Sequence, residues 1–291
     1  MLKLIRPKQW SKNLLVFAGP IFGARILDTG SLFVALIAFL AMCFLSSATY
    51  ILNDLIDAKA DRNHPQKKDR PIASGAVSTT TALLLALMFS LAAFFLGSYL
   101  NHASWILLST YGVLQVLYNL ILKRVAIADV FTISLGFIVR AVLGAAAVSV
   151  PISGWLLFCT GALALMLGFA KRRHEFILQG ASREASRTSL SDYSLPALDA
   201  LVIMTATGAA ICYGVYTVNS KTAERHPAII VTSLFVFYGI ARYVQLTFSR
   251  DEGGEPADLL FKDAHLLLSV ALFLFTAVLS MLGWKIPLLE R

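Results

Sequence analysis

Apolar runs of about twenty residues recur along the chain, at 13–27, 31–52, 80–100, 103–122, 126–149, 152–170, 196–218, 227–248 and 264–284. A helix of roughly 20 mostly apolar residues crosses a bilayer, so the pattern predicts an all-α polytopic membrane bundle of about nine spans. The first run is short and holds Gly19, Pro20 and Gly23, which predicts a bend. Ahead of it, residues 1–12 mix Lys3, Arg6, Lys8 and Lys12 with Leu2, Leu4, Ile5 and Trp10. That mixture predicts an interfacial segment with Trp10 at head-group level. The longest polar connections, 53–79, 171–195 and 249–263, leave no room for a separate soluble domain, so 1–291 reads as one integral-membrane domain.

Composition strengthens the membrane reading. The chain is 57% hydrophobic and only 14% charged, where a soluble chain carries roughly a quarter charged residues. With the N-terminus inside, nineteen of the 25 Lys and Arg fall in cytoplasmic segments, five fall outside, and Arg140 lies within a span. Basic residues gather on the cytoplasmic side of membrane proteins. The expectation is a cell-membrane protein with its N-terminus and charged connections in the cytoplasm and its C-terminus outside. The net charge of +8 then belongs to cytoplasmic loops facing anionic lipid head groups, not to a nucleic-acid surface. Cys43, Cys159 and Cys212 each sit in an apolar run without metal-ligand spacing and read as small buried hydrophobes.

The chemistry concentrates in residues 53–75, NDLIDAKADRNHPQKKDRPIASG. At about 100° per residue, Asn53, Asp54, Asp57 and Asp61 fall within an arc of roughly 100° on one helix face. Carboxylates this close repel one another unless a cation sits among them. Hard oxygen donors suit magnesium, which is held by a few carboxylates together with substrate phosphates. Arg62, Lys67, Lys68 and Arg70 follow, placed to meet phosphate oxygens that the metal leaves free. The plain alternative is a solvated, charged loop between two membrane helices.

A second charged segment, GFAKRRHEFI at 168–177, closes the sixth run. Lys171, Arg172 and Arg173 there can form an anion site, since arginine offers a planar fork to phosphate and lysine a point charge. Glu175 could complete a metal shell or accept from a sugar hydroxyl; alternatively Lys171 and Glu175, four apart, simply pair on the helix surface. In the fifth run Asp129, Ile133, Gly136 and Arg140 form one stripe. Charges within a span usually face a polar cavity, although a structural ion pair between helices explains them equally.

Taken together, NDxxDxxxD at the end of the second of nine spans resembles the first acidic motif of the UbiA superfamily of intramembrane prenyltransferases. RPKQWSKN at 6–13, the 53–75 segment with its RPIASG tail, YNLILK at 118–123 and KRRHE at 171–175 resemble one branch of it, the decaprenyl-phosphate phosphoribosyltransferases. The chain departs from the usual family pattern where a second DxxxD would stand, because 168–175 reads GFAKRRHE. The resemblance implies a UbiA-like fold and a magnesium-dependent transfer of 5-phosphoribose. The donor would be phosphoribosyl diphosphate and the acceptor a polyprenyl phosphate within the membrane lipids. Diphosphate would be released, and the product would serve cell-wall arabinan synthesis. On that reading Asn53, Asp54, Asp57 and Asp61 hold magnesium and the diphosphate. Arg62, Lys67, Arg70, Arg140, Lys171, Arg172, Arg173 and Glu175 bind substrate groups, Tyr118 and Lys123 line the site, and Lys12 and Trp10 sit where the lipid phosphate enters. A homo-oligomer is compatible with all of this. The competing readings are a conventional prenyltransferase using a polyprenyl diphosphate, and a transporter of an anionic solute with Arg140 and Asp129 along its path.

Overall fold

Every regular element among the described residues is helical, as the runs predict. The structure is a computed structural model that describes residues 2–23, 25, 27–62, 67–179, 188–249, 254 and 256–284. In order come α1 (Leu2–Ile5), a 3-10 helix (Pro7–Phe17), α2 (Ala18–Phe22), α3 (Thr29–Arg62), α4 (Thr79–Gly97), α5 (His102–Leu120), a 3-10 turn (Leu122–Arg124) and α6 (Ala128–Ala147). Then follow α7 (Gly154–Gln179), a 3-10 turn (Thr188–Leu190), α8 (Leu195–Asn219), α9 (Lys221–Arg225), a 3-10 helix (Pro227–Val231), α10 (Thr232–Ser249), α11 (Pro256–Lys262) and α12 (Ala264–Met281). Their packing forms two compact units: Met1–Leu122 with Val139–Pro151, and Lys123–Ile138 with Ile152–Arg291.

In the first unit α3 is the axis. Ala35, Ala38, Ala41 and Ala48 are fully buried on it, and Ala82, Ala86 and Ala93 are buried on its principal partner α4. Small side chains let membrane helices approach closely and gain dispersion energy where the hydrophobic effect gives none. Helix starts are set by local caps: the Ser78 hydroxyl accepts from the Thr81 amide at 3.1 Å and the Asn101 side chain from the Ser104 amide at 2.9 Å. The first apolar run takes up the end of the 3-10 helix and then α2. It packs against the later part of α6 backbone to backbone: a Cβ on Gly144 would overlap the Val16 carbonyl, and one on Gly19 would strike the Ala145 backbone. Within the segment expected on the membrane surface Leu4 is 1% exposed, and α1 and the 3-10 helix pack on α3.

In the second unit α7 and α8 pack along their lengths, and α10 packs on α12. Gly161 and Gly168 let α7 approach α6, where Ile138 and Val130 stand opposite them. Ser134 donates to the Gly161 carbonyl at 2.8 Å. Asp263 caps α12, accepting from the Leu266 amide at 3.0 Å, and pairs with Arg242 of α10 at 2.7 Å. The hydrogen bonds from Arg242 outweigh desolvation and hold the Asp263 carboxyl at about 2, below its ordinary 3.8.

Among the described residues seven helices are long and apolar enough to cross a membrane: α3, α4, α6, α7, α8, α10 with the 3-10 helix before it, and α12. Helix α5 is 19 residues long but carries Gln115 and Asn119 and is not among the seven. The count of nine is therefore not reached by length and composition. Arg183, Arg187, Arg250, Lys285 and Arg291, which entered the charge asymmetry, lie outside the described residues.

Candidate active site

The acidic face is built by the helix itself. The apolar run ends at Leu52, yet α3 continues to Arg62, and the carboxylates keep helical register. Asp54 and Asp61 are 2% and 4% exposed; Asn53 and Asp57 are half-buried. Two arginines from other segments meet them. Arg70 Nη1 donates to Asp61 Oδ2 at 2.7 Å and to Asp54 Oδ1 at 3.2 Å, and Arg6 Nη2 donates to the same Asp54 Oδ1 at 2.5 Å.

Local backbone explains both. Arg70 rides on a run of turns closed by Ser74 N to the Arg70 carbonyl at 2.9 Å and Val77 N to the Pro71 carbonyl at 2.9 Å. Gly75 sits there at φ 80°, a left-handed position that glycine takes without strain. Arg62, from the helix end, donates through Nε to the Ala73 carbonyl at 3.2 Å and ties the turn to α3. Arg6 is itself left-handed, φ 49° and ψ 59°, at a cost on the order of 1–2 kcal/mol for a residue with a Cβ. The segment is fixed by Ser47 Oγ donating to the Ile5 carbonyl at 2.9 Å and Trp10 Nε1 donating to Ser47 Oγ at 3.0 Å. The guanidinium lies 5.3 Å from the Tyr50 ring centroid. Lys3, Arg6, Asp54, Asp69, Arg70 and Pro71 line an open cavity of about 320 Å³.

Arg140 is also in this unit and is 4% exposed. It donates through Nε to Asn13 Oδ1 at 2.7 Å and through Nη2 to the Tyr111 hydroxyl at 2.8 Å, with its carbon 4.8 Å from the Tyr111 ring centroid. Asn13 in turn donates to Cys43 Sγ and Ser46 Oγ. Lys12 is half-buried on the 3-10 helix, Tyr118 half-buried on α5, and Lys67 half-buried in the turn.

The second unit gathers the other charged residues. Arg172 is 2% exposed; its Nε donates to Asp129 Oδ2 at 2.7 Å and its Nη1 to Glu175 Oε2 at 2.5 Å. Asp129 is wholly buried and also accepts from the Tyr193 hydroxyl at 3.3 Å and from Ser189 at 3.4 Å. Burial, reinforced by the Asp129 charge, pushes Tyr193 up to about 12, so this phenol stays a donor at neutral pH. Arg173 pairs with Asp199 at 2.7 Å, donates to the Thr247 carbonyl at 3.0 Å and stacks 4.6 Å over Phe248. Lys171 is half-buried, and Lys123 is 9% exposed in the turn before α6. Glu175 thus meets Arg172, three residues away on the same helix.

The oxygen donors of α3 fit magnesium in kind. Among the described residues no three of His, Cys, Asp and Glu gather into a preformed cation cage, and both buried aspartates already accept from arginine. Magnesium needs no such cage, since it takes one or two carboxylates and completes its shell with water and substrate phosphates. Sequence reasoning missed Arg6, Asp199 and Tyr193 as partners in these networks. For Arg6 a signal existed, because it opens the RPKQWSKN segment; for the other two, nothing local marks them.

The model of the UbiA prenyltransferase family matches residues 14–261. A decaprenyl-phosphate phosphoribosyltransferase of Mycolicibacterium smegmatis is 31% identical over 275 residues, 90% of this chain and 86% of that protein. One from Corynebacterium glutamicum is 30% identical over 288 residues, covering 96% of this chain and 86% of its own. Among solved structures, a UbiA homolog from Archaeoglobus fulgidus bound to GPP and Mg2+ superposes with a TM-score of 0.78 at 18% identity, covering 96% of this chain and 98% of that one.

Proposed function

The chain belongs to the UbiA prenyltransferase family, and from that premise we propose that it transfers 5-phosphoribose from phosphoribosyl diphosphate to a polyprenyl phosphate such as decaprenyl phosphate, releasing diphosphate. One observation carries the choice of reaction. Where the family's usual second acidic motif would stand, the only carboxylate between 168 and 175 is Glu175, and it is paired with Arg172. That helix end carries Lys171, Arg172 and Arg173, the two arginines held by carboxylates, where a prenyl-diphosphate enzyme would place further metal ligands. Both substrates of the proposed reaction are anionic, with a diphosphate, a 5-phosphate and a lipid phosphate between them. Magnesium would screen the diphosphate, held by Asn53, Asp54, Asp57 and Asp61; when bound it supplies charge stabilisation for the leaving group. The remaining phosphates need cations, for which Lys171, Arg172, Arg173, Arg62, Lys67, Arg70, Lys123 and Lys12 are the proposed set. An acceptor phosphate is ionised near neutral pH and needs no general base, so catalysis rests on positioning and on stabilising the departing diphosphate.

The same reading has nine spans, with the 3-10 helix, α2 and α5 supplying what the seven long apolar helices leave, an N-terminus and active site in the cytoplasm, and a product used for cell-wall arabinan. The test is direct. Purified protein is incubated with labelled phosphoribosyl diphosphate, magnesium and a polyprenyl phosphate. Label in the lipid fraction is expected. Label transferred only from a polyprenyl diphosphate donor to an aromatic acceptor would replace this reading with conventional prenyl transfer.

A further inference from the structure

Asp54 Oδ1 receives two guanidiniums and Asp61 Oδ2 receives one, while Asp54 Oδ2 and Asp61 Oδ1 accept no hydrogen bond from the described residues. Two carboxylates are therefore balanced by two arginines. The other charges lining the cavity, Lys3 and Asp69, balance each other. A bare dication approaching Asp54 meets a carboxylate whose charge is already neutralised, with two cations touching it. A metal–diphosphate complex meets something different. It is net anionic, and the same guanidiniums attract it through the planar fork that suits phosphate. The arginines are the solvent-facing partners: Arg6 and Arg70 are 24% and 27% exposed, whereas the Asp54 and Asp61 side chains are 2% and 6% exposed. The left-handed backbone at Arg6 shows that the fold accepts strain to aim this side chain at the first aspartate. Such strain persists only where its surroundings hold it, and it gathers at functional sites.

We propose that Arg6 and Arg70 make the acidic end of α3 selective for a divalent cation already complexed to a diphosphate, by neutralising Asp54 and Asp61 until that complex takes their place. This rests on the reading of α3 as the metal-binding motif. Arg6 is then a specificity residue: it turns from carboxylate to phosphate as the complex arrives, and the site stays closed to free metal.

The experiment is equilibrium dialysis of the detergent-solubilised full chain against radioactive manganese, with and without inorganic diphosphate. The wild type is expected to retain manganese at concentrations about tenfold lower when diphosphate is present. Arg6→Gln removes one of the repelling charges. It should tighten binding of bare manganese by about tenfold, the scale of one partly screened unit charge, and weaken binding of the diphosphate complex. Arg6→Lys keeps the charge without the fork, so bare manganese should still bind poorly. It also provides the readout if Arg6→Gln does not fold. Wild-type protein that holds bare manganese as tightly as the complex overturns the proposal but leaves the metal site standing. Equal loosening of both in Arg6→Gln reduces Arg6 to a strut and overturns it too. Manganese retained in neither condition removes the metal reading itself.

Discussion

Arg172 and Arg173 each hold a carboxylate that their loss would leave behind. Arg172 covers Asp129, whose side chain is 0% exposed, so Arg172→Ala leaves a buried charge unpaired. Breaking such a pair costs about 3–5 kcal/mol, and thermal unfolding in detergent should show it. Asp129→Asn combined with Arg172→Gln should recover part of the loss, because the wholly buried position 129 no longer carries a charge. If Lys171, Arg172 and Arg173 bind substrate phosphate, then folded Lys171→Ala, Arg172→Lys and Arg173→Lys enzymes should raise KM for one substrate. Loss of a charge-assisted contact of about 1.5–3 kcal/mol corresponds to roughly 10–100-fold, with kcat less affected. Unchanged KM for both substrates in all three would leave these side chains a purely structural part. At the acidic face, chelation should abolish transfer and magnesium restore it. Asp57→Asn and Asp61→Asn should each lower activity without unfolding the protein; a double variant fully active in chelator would refute the metal assignment.

At the scale of elements, Asp263 ties two helices through one carboxylate. Its folded-state pKa of about 2 lies below the ordinary 3.8, so its contribution is complete above about pH 4 and drains away as pH falls through about 2. Melting temperature measured down that range should fall in the wild type, while Asp263→Asn, already weakened, should lack this part of the slope. Gly144→Ala places a methyl on the Val16 carbonyl and should cost at least the 1–3 kcal/mol typical of overpacking. The elements themselves were largely legible: the apolar runs from 31 onward each became a helix, and the one-face register of Asn53 to Asp61 foretold that α3 would outlast its apolar stretch. Partners were not legible. Arg6 and Asp54 lie 48 residues apart and Arg140 and Asn13 lie 127 apart, and no periodicity along one helix says which distant side chain will face it. The role of Gly19 was hidden for a related reason: in sequence it reads as part of a bend, and in the fold it also makes room for the α6 backbone.

For the whole molecule, the charge asymmetry is a statement about sidedness that chemistry can read from outside the cell. Membrane-impermeant thiol reagents on intact cells should label His102→Cys and Lys221→Cys but not Lys67→Cys. Labelling of Lys67→Cys would turn the acidic face outward and overturn the proposed orientation.

The pairing of Arg140 with Asn13 also sets an order of events during synthesis. The ribosome delivers Asn13 long before Arg140, and α3, α4 and α5 are synthesised in between. Contacts of such long sequence separation form late. Until α6 emerges, the 3-10 helix lacks both the Gly144 surface it rests on and the cation its asparagine receives, so it must wait at the bilayer surface as an unassembled hook. Chains arrested on the ribosome before residue 139 should leave a cysteine placed at Val16 open to alkylation, and chains released past α6 should protect it.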